Sequence, residues 1–165
     1  MKFRAPFRDV VEQGPSSSYP VGANLELLRV IEASASATEQ ADRSAFYEML
    51  LRATLVVAIE EHPIWWRFGR SGSEATCPVP IKGYKATSGK RLLTAFTDTA
   101  AMRNYFAVIP YWIQMPGDAY IKLIAPLAFD ELVINPYDPK RKLIRPGCTV
   151  TREEVLALAA QASAH

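Results

Sequence analysis

The sequence predicts an α/β fold of the α+β kind, in which a single domain carries a mixed β-sheet with helices packed against it. Three observations predict it. Stretches with apolar residues at helical spacing are interspersed with short β-branched runs, one segment reads as a tight hairpin, and 165 residues at 49% hydrophobic suffice to bury a core without staples. Helices that alternate with strands must cover a sheet to bury their apolar stripes, so an all-α arrangement is not expected.

The chain opens on an arm. "EQGPSSSYPVG", residues 12–22, combines proline, glycine and three serines, the composition of a flexible connector. Residues 1–21 are therefore expected to be an N-terminal arm and linker, with Phe3, Phe7, Val10 and Val11 in the arm, and residues 22–165 to be the domain.

Asn24 is placed to cap a first helix whose Leu27, Val30 and Ile31 share one side. After "SASAT", a second helix is expected over 39–53, with Phe46, Met49, Leu50 and Ala53 on its apolar face. "TLVVAIE", residues 54–60, reads as a strand buried on both faces. A hairpin follows, with strands over 81–87 and 90–96 joined at Ser88 and Gly89. Thr97 and Asp98 are both suited to cap a short helix carrying Met102, Tyr105 and Phe106.

Further on, "YWIQM" (111–115) is expected as a strand, "GDAYIKLIA" (117–125) as a helix ended by Pro126, and "ELVIN" (131–135) as a strand stopped by Pro136. "KLI" (142–144) reads as a brief extended piece. The closing helix carries the clearest local signature. Thr151 and Glu154 form a capping box, Val150 and Val155 a hydrophobic staple, and Val155, Leu158, Ala159 and Ala162 line one face. No internal repeat is present.

The order of these pieces carries a resemblance. "NLELLRVIEASASATEQADRSAFYEMLLRATLVVAI", "LLTAFTD" and "LVINP" resemble, in sequence and order, the opening helices and strand, the strand ending in F-T-D, and the strand ending in N-P of the SseB protein N-terminal domain family. The resemblance covers 22–162. It implies a bacterial cytoplasmic domain and specifies no mechanism, and segment 62–78 departs from it by being longer and more aromatic.

Charge and composition narrow the function. Nineteen Lys and Arg against seventeen Asp and Glu leave a net +2, without the concentrated positive charge that phosphate backbones require, so nucleic acid is not an expected partner. No apolar run reaches a membrane span's ~20 residues, and "MKFRAPFRDVVEQG" lacks the apolar core of a signal peptide. A cytoplasmic location with Cys77 and Cys148 reduced is the expectation.

The residues offer little catalytic chemistry. Only His62 and His165 are available as imidazole bases, and a His62–Cys77 dyad rests on no specifying spacing. Neither C-x-x-C nor H-x-x-x-H spacing occurs, no Gly-rich phosphate loop is present, and no cofactor is expected. Asp130–Glu131 and Glu153–Glu154 read as solvated or capping charge, and Asn135 as the organiser of a turn. "PKRKLIR", 139–145, reads as a solvated basic run, with contact to an acidic partner as its functional alternative.

One stretch stands out. "HPIWWRFGR", 62–70, either covers an open edge or face of the sheet or forms an interface, since Trp and Arg dominate interfaces by burying large area with a polar handle. Extended geometry sends Ile64, Trp66 and Phe68 one way, Trp65 and Arg67 the other. The expectation is a non-catalytic interaction or regulatory domain that binds protein, itself included, through Trp65, Arg67, Trp66 and Phe68. The alternative is a small-molecule sensor or enzyme with a pocket near His62 and Cys77.

Overall fold

A computed structural model describes residues 22–36, 43–60, 79 and 81–164. Helix α1 (Ala23–Ser36) buries Leu27, Leu28 and Ile31, and α2 (Ser44–Arg52) buries Phe46 and Leu50, as the apolar spacing of each requires. Helix α2 begins at Ser44, whereas the spacing placed its start near 39; residues 37–42 lie outside the described residues.

Strand β1 (Thr54–Ile59) follows α2 directly and pairs antiparallel with β4 (Tyr111–Pro116), from Thr54↔Pro116 to Ile59↔Tyr111. A second sheet runs in the order β2 (Gly83–Lys85), β3 (Arg91–Ala95), β5 (Glu131–Ile134), β6 (Cys148–Thr151). Its β3–β5 pair is parallel and its other pairs antiparallel, so the sheet is mixed as expected. The β2–β3 hairpin turns where expected, with Gly89 at φ 88°, a conformation that costs glycine nothing.

Between β3 and β4 lies α3 (Thr99–Tyr105), α4 (Gly117–Ile124) follows β4 at once, and α5 (Arg152–Ser163) closes the chain. Gly117 is buried where α4 meets the end of α2: its N–H donates to the Ala53 carbonyl at 2.7 Å, and a Cβ there would stand 1.8 Å from the Leu50 carbonyl oxygen. No side chain fits that contact. Among the described residues no helix is long and apolar enough to cross a membrane.

The two sheets meet at a seam. Val56 and Phe96 exchange backbone hydrogen bonds of 2.8 and 2.9 Å, and the Lys82 N–H donates to the Ala58 carbonyl at 3.0 Å. Strand β1 therefore leans on both the end of β3 and the entry to β2. Opposite Thr94 the strand edge is left to a side chain: the Thr94 carbonyl accepts the buried Tyr120 hydroxyl from α4 at 3.0 Å.

Because β1 is covered on both sides, its alternation divides the core. Leu55, Val57 and Ile59 enter the main cluster with Ile113, Met115, Tyr120, Ile121, Leu132, Ile134, Val150 and Val155. Val56 and Ala58 face a smaller cluster of Phe96, Ala101, Met102 and Phe106, edged by Tyr84, Tyr105 and Trp112. Each large apolar side chain so enclosed contributes about 1.5–3 kcal/mol.

Two expectations are corrected. Residues 142–144 form no strand; the extended pairing lies instead in β6, which adds to β5 and runs straight into the cap of α5. Asn24 does not cap α1, since it already sits in the first helical turn. Its amide is used elsewhere, as described next.

Candidate functional site

The motif residues of the sequence meet at the end of β3. Asp98 accepts the Ala101 N–H at 2.8 Å and so caps α3, while its other oxygen accepts from Arg145 Nε at 2.8 Å. With only 1% of the Asp98 side chain exposed, this is a buried charge that must be paired. Thr97 Oγ1 adds a third bond, donating to Asp98 Oδ2 at 3.2 Å.

Asn135, at the end of β5, has φ 48°, a left-handed turn conformation that asparagine tolerates better than most residues. Its side chain accepts the Thr97 N–H at 2.9 Å and donates to Thr97 Oγ1 at 3.1 Å and to the Pro146 carbonyl at 3.0 Å. Gly147 passes so close that a Cβ would lie 2.3 Å from the Asn135 carbonyl oxygen. Asn24 completes the tie from the other side, accepting the Thr54 N–H at 2.8 Å and donating to the Thr54 and Thr97 carbonyls, both at 2.7 Å. An amide side chain thus continues the β1–β3 seam where backbone pairing stops.

The 137–146 segment is stitched to α3. The Asn104 amide donates to the Lys142 carbonyl at 2.7 Å, and Arg141 Nη1 donates to the Asn104 carbonyl at 3.0 Å. Asp138 organises the first turn by accepting the Lys140 N–H at 3.0 Å, and it pairs with Arg141 at 3.6 Å. The basic run is therefore divided, contrary to its reading as uniformly solvated: Arg141 and Arg145 fasten it inward, while Lys140 and Lys142 are exposed.

Three of the other carboxylates that sequence paired are also engaged. Asp130 accepts the Arg91 N–H at 2.7 Å and Glu131 pairs with Lys90. Glu154 closes the capping box with Thr151, pairs with Arg43 at 2.6 Å and accepts the Tyr47 hydroxyl. Burial pushes the Glu154 pKa up, but the Tyr47 and Thr151 hydrogen bonds and the Arg43 charge outweigh it, so the carboxyl titrates below its ordinary value. The Tyr47 hydroxyl is pushed up to about 12 by burial and by that carboxylate. Burial likewise pushes the Cys148 thiol up to about 12, leaving it a poor nucleophile.

On the face of β3 beneath α3, aromatic rings gather. Phe106 lies 5.8 Å from Tyr84, 5.7 Å from Phe96 and 5.0 Å from Tyr105, and Lys82 Nζ stands 5.9 Å from the Tyr84 and Phe106 centroids. Among the described residues, the buried hydroxyls of Tyr84 and Thr94 have no hydrogen-bond partner. Burial also raises the Tyr84 pKa.

Apolar side chains that are not enclosed gather after α3: Val108, Ile109 and Tyr111 are 83%, 46% and 47% exposed, with Tyr111 beginning β4. Tyr137 and Leu143 are exposed on the stitched segment. The interface residues named from sequence, Trp65, Trp66, Arg67 and Phe68, lie outside the described residues, as do His62 and Cys77. Sequence reasoning missed Arg145, whose only signal was membership of a basic run. Among the described residues no three His, Cys, Asp or Glu side chains form a group able to hold a metal ion.

A family model, that of the SseB protein N-terminal domain, matches residues 27–160. A comparison with curated proteins finds no match.

Proposed function

The chain belongs to the SseB protein N-terminal domain family, and on that premise we propose that it is a non-catalytic protein-interaction domain whose partner is a second copy of itself, joined along β4. The observation that carries this reading is the apolar run Val108, Ile109 and Tyr111, which leads into a strand with one open edge among the described residues. In an antiparallel pair, successive residues turn their backbone groups to opposite sides. Val56 bonds Phe96, away from β4, so its register partner Gln114, and with it Trp112, presents N–H and C=O groups to the outer edge.

Residues 111–116, "YWIQMP", hold no charge. Such an edge lacks the lysines or inward charges that usually prevent strand pairing, and a neutral edge suits an isologous contact in which the same strand is presented by both copies. A stable interface buries about 1,200–2,000 Å² in total, more than one short strand edge supplies, so the apolar run beside it is needed to complete the contact. Motif polar groups held by caps and turns, Asp98 and Asn135 above all, favour a structural rather than catalytic use. Trp65, Trp66, Arg67 and Phe68 enter the same proposal on sequence grounds.

Sedimentation and light scattering test the reading. The wild-type chain is expected to dimerise with rising concentration, and Val108→Asp with Ile109→Asp to give a monomer of unchanged circular dichroism. A wild type monomeric at every concentration, or a variant that still dimerises, defeats it.

A further inference from the structure

The stitched segment after β5 supports an inference independent of self-association through β4. The geometry points to a second docking surface, formed by Tyr137, Lys140, Lys142 and Leu143 with Arg103 of α3, that receives an acidic, apolar-bearing segment of another protein.

The argument begins with which cations are already engaged. Arg141 is held by Asp138 and the Asn104 carbonyl, and Arg145 by Asp98. Lys140, Lys142 and Arg103 are exposed and, among the described residues, make no ion pair. The acidic residue within 137–146 is Asp138, which Arg141 already answers, so the exposed charge of this segment is net positive. Exposed charge of one sign is complementary to an oppositely charged partner and steers its approach.

The second half of the argument is rigidity and apolar area. Segment 137–146 has no helix or strand, yet it is pinned at Asp138, Arg141, Lys142 and Arg145 by bonds to itself, to α3 and to its cap. A loop fixed in this way loses little conformational freedom on binding. Tyr137 and Leu143, 54% and 55% exposed, flank the lysines in sequence and offer the apolar contact that a purely electrostatic patch lacks.

A nucleic-acid partner fits less well. Phosphate is best gripped by the planar fork of arginine, and both arginines of this segment point inward, leaving two lysines and one helix arginine.

Fluorescence anisotropy of the full chain tests this with a labelled short peptide alternating Glu and Leu, a peptide alternating Gln and Leu, and a single-stranded DNA oligonucleotide. The acidic peptide is expected to bind and to weaken as salt rises. Lys140→Glu with Lys142→Glu should weaken it about tenfold, and Leu143→Ser about threefold, while the Gln peptide and the DNA bind poorly. Binding of the acidic peptide unaffected by the lysine reversals overturns the proposal. So does equal binding of the Gln peptide, tighter binding of DNA, or no binding at all. The Val108→Asp, Ile109→Asp monomer should bind the acidic peptide as wild type does, which separates this surface from the β4 contact.

Discussion

At the scale of single residues, the face of the β2–β3 pair beneath α3 contains two side chains that weaken the fold they belong to. Among the described residues the buried Thr94 and Tyr84 hydroxyls have no partner, and an unsatisfied buried hydroxyl costs about 1–3 kcal/mol. Thr94→Val and Tyr84→Phe keep shape while removing the polar atom, so each is expected to raise the unfolding free energy by about 1 kcal/mol in urea titrations. A fall in stability would mean that the hydroxyls are satisfied after all. Asp98 poses the opposite case. Its buried carboxylate depends on Arg145, so Arg145→Met should cost about 2–4 kcal/mol. Asp98→Asn added to that variant should cost less than the sum of the two single changes, a coupling that a double-mutant cycle measures. Sequence gave the cap role of Asp98 correctly, because a cap is local. The Arg145 contact spans 47 positions and leaves no trace in spacing.

At the scale of elements, the start of α5 combines a capping box with a tertiary anchor. Thr151 and Glu154 satisfy each other's backbone N–H groups, and Glu154 also receives Arg43 and the Tyr47 hydroxyl from the start of α2. The folded-state pKa of Glu154 lies below its ordinary 4.5, so its contribution is complete above that pH and is lost as pH falls through the folded value. Thermal melts of the wild type should therefore show stability declining on that acid limb, and Glu154→Gln should flatten it while lowering stability at neutral pH. A variant whose acid limb matches the wild type would remove Glu154 from that role. The box itself was legible from four residues. Strand β6 was not: Cys148–Thr151 is short, overlaps the cap, and has its partner β5 beyond an irregular segment. Likewise Asn24 had the right chemistry for a cap, but its amide found strand backbone in need of partners 30 and 73 positions away.

At the scale of the whole molecule, the two-layer logic of helices over a mixed sheet was legible because periodicity and turn residues are local signals. The division into two sheets meeting at a seam was not, since the Val56–Phe96 and Lys82–Ala58 bonds depend on how distant strands are brought together. The surfaces were least legible, because exposure is a property of the assembled fold. "VIPY", 108–111, reads as another apolar run, yet its Val108 stands in solvent and its Ile109 and Tyr111 are half exposed. "PKRKLIR" hides which of its cations are presented.

The β1–β4 pair has a consequence in time. Its register joins residues 54–59 to 111–116, so the chain between them, containing the hairpin and α3, forms a closed loop once that pair is made. The hairpin is a local event of about 1–10 μs, whereas closing a long loop carries an entropic cost that its own contacts must first recover. Strand β3, once pinned to β1 at Phe96, must still accept β5 alongside it from a later part of the chain. Topology thus favours an order from hairpin to enclosing pair to parallel addition. Such non-local pairing predicts a folding rate limited by the meeting of distant strands rather than by the speed of any helix.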